Sequence, residues 1–406
     1  MVLEQISKLD LIQARIDVIP SDWLLCKVSE ALKIRNNLRK PISQEVRETI
    51  QGDYPYYGPT KVQGYISEYE QDGTYALIGE DGDHFLKYAT MPQTQYISGK
   101  CTVNNHAHIL ESSKICDAQW FFNYFKHRDI TNFLSRQGAG RFKLNKATLE
   151  KLPMLVPPLH EQRKIAKILS TWDKAISTTE KLIETSKQQK KALMQQLLTG
   201  KKRLVNPETG KAFENLWEKV TLGNLVTIQS GYAPSQFTLT KDEEYPYVKV
   251  EDMNNCSKYQ TISREYSCKS KRTVPKGSVI FPKRGAAIMN NKVRIAATEI
   301  YMDSNMMALT PKDKLHSEFC YYLLLREELY RIADTSTIPQ INNKHITPYA
   351  FLLPSELEQQ KIASVLTAAD KEIEVLETKL SHFKQEKKAL MQQLLTGKRR
   401  VMVDAA

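Results

Sequence analysis

Short turn-forming stretches rich in Arg, Lys, Asn and Gln recur along this chain. Such groups bind nucleic-acid base edges with paired donors and acceptors, and phosphates with cations, hydroxyls or backbone amides. In the C-terminal half, Lys283-Arg284-Gly285 follows an apolar run. Asn290-Asn291-Lys292 stands on an expected hairpin with Arg294 close behind, and Gln340-Ile341-Asn342-Asn343-Lys344 follows Ser336-Thr337-Ile338-Pro339. In the N-terminal half the candidates are Tyr56, Tyr57, Thr60 and Lys61 of the aromatic stretch Tyr54–Lys61, then Asn104-Asn105, then Arg136, Gln137, Arg141 and Lys143 around Gly138-Ala139-Gly140. Asn, Gly and Pro are also ordinary turn residues, and Tyr56 and Tyr57 suit a core as well as a loop. Residue type alone therefore leaves each position open between turn and contact. The stretches 136–143 and 335–344 stand out because they recur in corresponding places, each where a globular part meets a long helix.

Other chemistry finds little support. Adenine-N6 methylation requires a [DNS]-P-P-[YFW] loop to hold a flipped base, and the only Pro-Pro here is in Val156-Pro157-Pro158-Leu159. No G-x-x-x-x-G-K-[ST] loop occurs, and Gly138-Ala139-Gly140 is too short to cradle a cofactor. Glu80-Asp81-Gly82-Asp83-His84 reads as a solvated turn and His106-Ala107-His108 as a structural pair on a strand, so neither a metal site nor a catalytic residue is expected. The six cysteines are scattered without a C-x-x-C pair, as reduced thiols are. With 58 Lys and Arg against 46 Asp and Glu, the net charge of +12 favours a polyanionic partner. No run of about 18 apolar residues offers a membrane span. The opening residues, with Glu4, Lys8, Asp10, Arg15 and Asp17, have no secretory apolar core. The expected compartment is the cytoplasm.

The elements that must position these groups are duplicated. KKALMQQLLTGK at Lys190–Lys201 recurs at Lys387–Lys398, 197 positions later, and Glu161-Gln162, Lys164-Ile165-Ala166 and Asp173-Lys174 recur at the same offset. Alternating steps of four and three mark two long helices with a coiled-coil seam. The first seam is Ile165, Leu169, Trp172, Ile176, Ile183, Leu193 and Leu197; the second is Ile362, Leu366, Ile373, Leu380, Phe383, Leu390 and Leu394. Thr179, Ser186 and Lys190 interrupt the first. Pro157-Pro158 and Pro354-Ser355 precede the helices, Ser355 with Glu358 fits a capping box, and Gly200 and Gly397 fit a C-terminal stop. Weaker likenesses pair Leu144-Asn145 with Ile341-Asn342, Leu149 with Ile346, and Phe122 with Phe319. At shifted offsets, Leu77–Gly82 resembles Ile280–Gly285, and Trp23 with Val28 resembles Trp217 with Val220. Strands are expected at 75–78, 247–250 and 278–281, and helices at 119–126 and 317–328.

The expected plan is an N-terminal segment 1–17, a globular part 18–155, a helix 157–200, a linker 201–214, a second globular part 215–352, a helix 354–397 and a tail 398–406. The fold class is α+β (mixed α/β), with two globular domains separated by two long antiparallel coiled-coil helices in a pseudo-twofold internal repeat. From Ile165 to Leu197 the seam spans about 50 Å at 1.5 Å per residue, more than one turn of B-DNA at about 34 Å.

This layout resembles the specificity subunit of a type I restriction-modification enzyme. The likeness rests on the two helix starts around Glu161-Gln162 and Glu358-Gln359, the twin KKALMQQLLTGK ends, Tyr54–Gly58 with Leu77–Gly82, and Ser336–Asn342. It implies two target recognition domains, each reading half of a bipartite double-stranded DNA sequence. The helices would act as a ruler and as the docking surface for two methyltransferase subunits, which would bind S-adenosylmethionine and methylate adenine at N6. Motor-nuclease subunits using ATP and Mg would join for restriction, and this chain would carry no cofactor and no catalytic activity. A coiled-coil architectural protein whose basic charge serves RNA, DNA shape or solubility is the competing reading. A stand-alone methyltransferase or nuclease is disfavoured by the missing motifs.

Overall fold

The computed structural model describes residues 6–137 and 141–402, so Gly138, Ala139 and Gly140 of the expected glycine turn lie outside the described residues. The chain divides into two compact units, Met1–Thr178 with Leu380–Ala406, and Thr179–Lys379. Each unit holds one globular part, the first half of the helix that follows it, and the second half of the other helix.

The two long helices are Leu159–Leu197 and Glu356–Leu394, 39 residues each, or about 58 Å of rise. Both stop where the chain turns through a left-handed glycine, Gly200 at φ 71° and Gly397 at φ 70°. Lys202 N–H and Arg399 N–H then bond back to the Gln196 and Gln393 carbonyls, satisfying carbonyls the helix ends leave open. The expected capping box at Ser355 does not describe Glu358, whose carboxylate turns to Arg203 and Trp217 instead.

In the first unit six strands run in the order Lys33–Ile34, Ala107–Glu111, Gln71–Gly79, Thr94–Val103, Gln51–Tyr57, Val62–Ile66. The helix Ala118–Phe125 lies against this sheet, and a separate antiparallel pair joins Leu24–Lys27 to Pro153–Val156. In the second unit, five strands run Val226–Ser230, Met306–Pro311, Val279–Pro282, Arg294–Ala296, Tyr259–Gln260, beside a three-stranded sheet centred on Tyr245–Val248. The helix here is Ser317–Glu327, and the matching antiparallel pair is Glu218–Thr221 with Ala350–Leu353. The strand expected at 247–250 starts two residues earlier and contains Pro246 rather than following it. The stretch 54–61, read as a loop, is strand as far as Tyr57.

The seam reading needs correction at the helix ends. Ile165, Leu169 and Leu394 are buried in the core of the first globular part with Trp23, Trp120 and Leu149. Leu197, Ile362 and Leu366 are buried in that of the second with Phe319, Ile341 and Ile346. Each globular part wraps the start of one helix and the end of the other, so burial there serves a domain core as well as a helix pair. Between the ends, Ile183 and Ile373 are buried while Trp172, Ile176, Leu193, Leu380, Phe383 and Leu390 are half-buried. Trp172 meets Phe383 edge to face at 5.7 Å. Thr179 and Ser186 are buried too, and Ser186 donates to Glu372 at 3.4 Å. The expected linker 201–214 is a closed turn: Val205 bridges Ala212, and Phe213 is buried.

Candidate nucleic-acid interface

Two residues at the start of each long helix fix the globular part that precedes it. Glu161 is buried and accepts from Trp23 Nε1 at 3.0 Å and from the Arg400 guanidinium at 2.8 Å on both oxygens. Glu358, fully buried, accepts from Trp217 Nε1 at 3.0 Å and from Arg203 at 2.7 and 2.8 Å. In both units the guanidinium also covers the tryptophan ring. Burial alone would raise the Glu161 carboxyl, but Arg400 and the Trp23 N–H hold it below the ordinary carboxylate range. The next residue is a buried glutamine. Gln162 donates to the Ile115 and Pro157 carbonyls and accepts from Asp117 N–H; Gln359 does the same with Lys314, Pro354 and His316. Asp117 and His316 cap the helices 118–125 and 317–327. That equivalence aligns Trp120, not Phe122, with Phe319. Likewise the tryptophans, each ahead of the strand that pairs with 153–156 or 350–353, align Val28 with Leu222 rather than Val220.

Each globular part also holds a tight loop supported by the same backbone scaffold. In the first unit Glu80 N–H donates to the His106 carbonyl at 2.8 Å and Leu144 N–H to the Glu80 carbonyl at 2.7 Å, while Asp81 bridges Lys143. In the second, Lys283 N–H donates to Asn305 at 2.7 Å and Ile341 N–H to Lys283 at 2.9 Å, while Arg284 bridges Gln340. Gly82 and Gly285 close the loops at φ 139° and 81°, conformations that favour glycine. The turn facing them is also shared: His106 N–H donates to the Asn104 side chain, and Asn305 N–H to that of Asp303. The stretches 136–143 and 335–344 therefore meet equivalent loops.

The side chains differ. Glu80 is no solvated turn residue: Arg39 reaches it at 2.7 Å and Lys143 at 3.4 Å. Burial would raise its carboxyl, yet Arg39, His108 and Lys143 hold it below the usual range. His108 is buried between Asn36 and the Leu144 carbonyl, and burial pushes its pKa down. His106 contacts Asp81 at 3.1 Å. At the second loop Lys283 donates to Ser230 at 2.9 Å, and partial burial together with Arg284 pushes its ammonium pKa down. The Arg284 side chain is exposed and makes no hydrogen bond or ion pair among the described residues.

The family model described as type I restriction modification DNA specificity domain matches this chain twice, over residues 20–188 and 214–385. The chain belongs to this family. Each match takes in one globular part and most of the helix after it. The chain is 26% identical over 408 residues to the type I restriction enzyme MjaVIII specificity subunit of Methanocaldococcus jannaschii, covering 94% of both chains. It is 25% identical over 343 residues to a putative type I restriction enzyme specificity subunit of Haemophilus influenzae, covering 84% of this chain and 85% of the relative. Its fold is similar to the S subunit of the type I restriction-modification system of M. genitalium, with TM-score 0.62 and 14% identity over 96% of this chain and all of that one. A chain solved in a study of assembly and conformational transition of the type I R-M system gives 0.56 and 15% over 94% of this chain and all of that one.

Within this specificity-domain chain, several expected contact residues are committed to the fold. Tyr56 is buried, with its hydroxyl among the backbone groups of Lys40 and Ile42 and Arg47 over its ring. Tyr57 packs on the cluster around Leu77 and Ile109. Asn104 is buried and holds Gln63 as well as His106. Asn291, at φ 47°, donates to the Leu325 carbonyl and accepts from Leu329 N–H. Arg294 spends its guanidinium on the carbonyls of Cys256, Val293 and Met253. Lys292 donates to Asn254, Asn342 caps the helix Asn343–Ile346 with His345, and Lys143 pairs with Glu80. The common reason is that Asn and Arg satisfy buried backbone groups as readily as bases.

Several of the rest are less committed. Lys61, Asn105, Arg136, Arg284, Asn290, Asn343 and Lys344 are exposed, Thr60 and Gln340 half-exposed. Arg136 lies over the Phe142 ring. Gln137 and Arg141 pair through their backbones where strand Ser135–Gln137 meets strand Arg141–Lys143. Residue type alone missed the Arg39–Glu80 ion pair, and it missed the structural roles of Glu161, Gln162, Glu358 and Gln359, although the duplicated Glu-Gln dipeptide was a visible signal.

Proposed function

We propose that this chain is the DNA-specificity subunit of a type I restriction-modification complex. Each globular part reads one half of a bipartite duplex target, and the paired helices set the unread gap and dock two methyltransferase subunits. Those subunits supply S-adenosylmethionine and adenine-N6 methylation, the motor-nuclease subunits supply ATP- and Mg-dependent restriction, and this chain supplies sequence choice without catalysis. One observation carries the reading. Two globular parts with matching helix attachments present equivalent, backbone-pinned loops whose side chains differ, as readers of two unlike half-targets would. The net charge of +12 suits the phosphate contacts that any such reader needs.

Co-expression with a cognate methyltransferase and long-read mapping of modified adenines tests this. A split motif with an unspecified gap is expected. A continuous motif, or no modification by a complex that assembles, overturns it. Replacing residues 18–155 with another such domain changes one half of the motif only; a change in both halves refutes modular reading. Inserting one helical turn into both long helices lengthens the gap, and an unchanged gap refutes the ruler.

A further inference from the structure

The two equivalent loops carry opposite charge at their tips, Glu80-Asp81 in one unit and Lys283-Arg284 in the other. We infer that the tips are specificity-determining positions. Arg284 donates its guanidinium fork to a guanine edge, and Asp81 accepts from the amino group of a cytosine, so equivalent places read the two half-targets with inverted polarity. The inference deepens the specificity-subunit reading and rests on it.

Three observations carry it. First, backbone hydrogen bonds hold both tips, in the first unit through Glu80 N–H to His106 and Leu144 N–H to Glu80. Lys283 N–H and Ile341 N–H anchor one side of the Arg284 loop, and Gly285 N–H bonds the Pro339 carbonyl at 2.9 Å. A pinned backbone is what a base contact needs and a general charge does not. Second, Arg284 is uncommitted where its neighbours are not. Arg294 is consumed by three carbonyls, Lys292 by Asn254 and Lys283 by Ser230. A free planar fork on a fixed loop matches O6 and N7 of guanine. Third, a carboxylate cannot bind phosphate. Asp81 has one oxygen on His106, and its second accepts no hydrogen bond among the described residues. Arg39 and Lys143 beside it offset the charge of the acidic pair, so a duplex is not repelled. The contact left to such a group is an amino donor on a base, and N4 of cytosine is the one carboxylates accept from.

The experiment maps adenine modification by the whole complex carrying wild-type chain, Arg284→Gln, Arg284→Lys or Asp81→Asn, alongside binding to oligonucleotides varied one base at a time. Arg284→Gln is expected to lose discrimination at one guanine of one half-target, by about 5- to 150-fold, leaving the other half unchanged. Arg284→Lys keeps overall affinity but loses most of that discrimination, because the fork is gone. Asp81→Asn relaxes one cytosine in the other half. Weakening of Arg284→Gln on all sequences alike, with the salt slope reduced by about one, would make Arg284 a phosphate contact and overturn the inference. Unchanged motifs in the variants would overturn it while leaving a split wild-type motif, and so the functional reading, intact. No split motif from the wild type sinks both.

Discussion

In the first unit a buried glutamate, Glu161, meets Trp23 and Arg400; in the second, Glu358 meets Trp217 and Arg203 with nearly the same distances. At the loops carrying Asp81 and Arg284 the likeness thins to backbone. The first unit there has an acidic loop tip and a six-stranded sheet, the second a basic tip with five- and three-stranded sheets. The contrast separates two jobs. Residues that attach a domain to the helices are duplicated down to the hydrogen bond, because each helix must be gripped at both ends in the same way. Residues at the loop tips are released from that constraint, so their chemistry can differ while their positions persist.

The largest test of this comparison removes a clasp cation. Arg203→Ala leaves fully buried Glu358 with only Trp217 as donor, and stranding a buried charge costs about 3–5 kcal/mol. Arg400→Ala costs less, because Arg400 is the more exposed cation, 38% against 25%. Hydrogen exchange is expected to rise in the strand pair 218–221 with 350–353 for the first variant, and in 24–27 with 153–156 for the second. Equal loosening of both pairs by either variant would break the comparison. Acid provides a related check. Because the Glu161 carboxyl is held below its unfolded value, its contribution is complete above about pH 4.3 and is lost as pH falls through the lowered value. Exchange in 24–27 should climb on acidification, and less steeply in Arg400→Ala.

Next in size are the buried glutamines. Gln162→Leu and Gln359→Leu each remove three hydrogen bonds at about 0.5–1.5 kcal/mol apiece, and so each should cost about 1.5–4.5 kcal/mol. Denaturant unfolding should find the two equal within error, since their three bonds are matched one for one. A smaller effect tests a difference instead. In the second unit Lys258 is buried against Tyr322, Thr367 and Glu318, and Tyr322 donates to Asp370 at 2.5 Å. Burial pushes the Lys258 ammonium pKa down. Lys258→Met should loosen the attachment of helix 317–327 by about 1–2 kcal/mol and leave exchange in the first unit unchanged.

How much of this was readable from sequence follows the range of the interactions. The long helices were visible because their signals are local: a 4-3 apolar spacing, flanking prolines, and glycines that take a positive φ at the stop. The loops 136–143 and 335–344 were visible as places, since duplication marked them. Their roles were not, because the partner of a polar side chain depends on distant backbone. Arg294 looks like a base reader until Cys256, Val293 and Met253 turn their carbonyls to it, and Asn291 until helix 317–327 ends beside it. Glu80 was misread for the same reason. It reads as a solvated turn residue until Arg39, far off in sequence, pairs with it.

The smallest effect tests the antiparallel pairing of the helices, unit by unit. Asp173 pairs with Lys387 in the first and Asp370 with Lys190 in the second, the same two positions of the repeat each time. Only an antiparallel arrangement lets an early aspartate of each helix meet a late lysine of the other. These pairs are partly exposed, with Asp173 at 46%, so each contributes roughly 0.3–1 kcal/mol and is screened by salt. Asp173→Lys alone should destabilise the first unit by somewhat more, because it sets a like charge beside Lys387. Adding Lys387→Asp should recover most of the loss, whereas adding Lys190→Asp should recover none, since Lys190 faces Asp370. A double-mutant cycle at low salt distinguishes these outcomes. Recovery by Lys190→Asp would mean that the helices pair in another register, and the likeness of the two clasps would then need another cause.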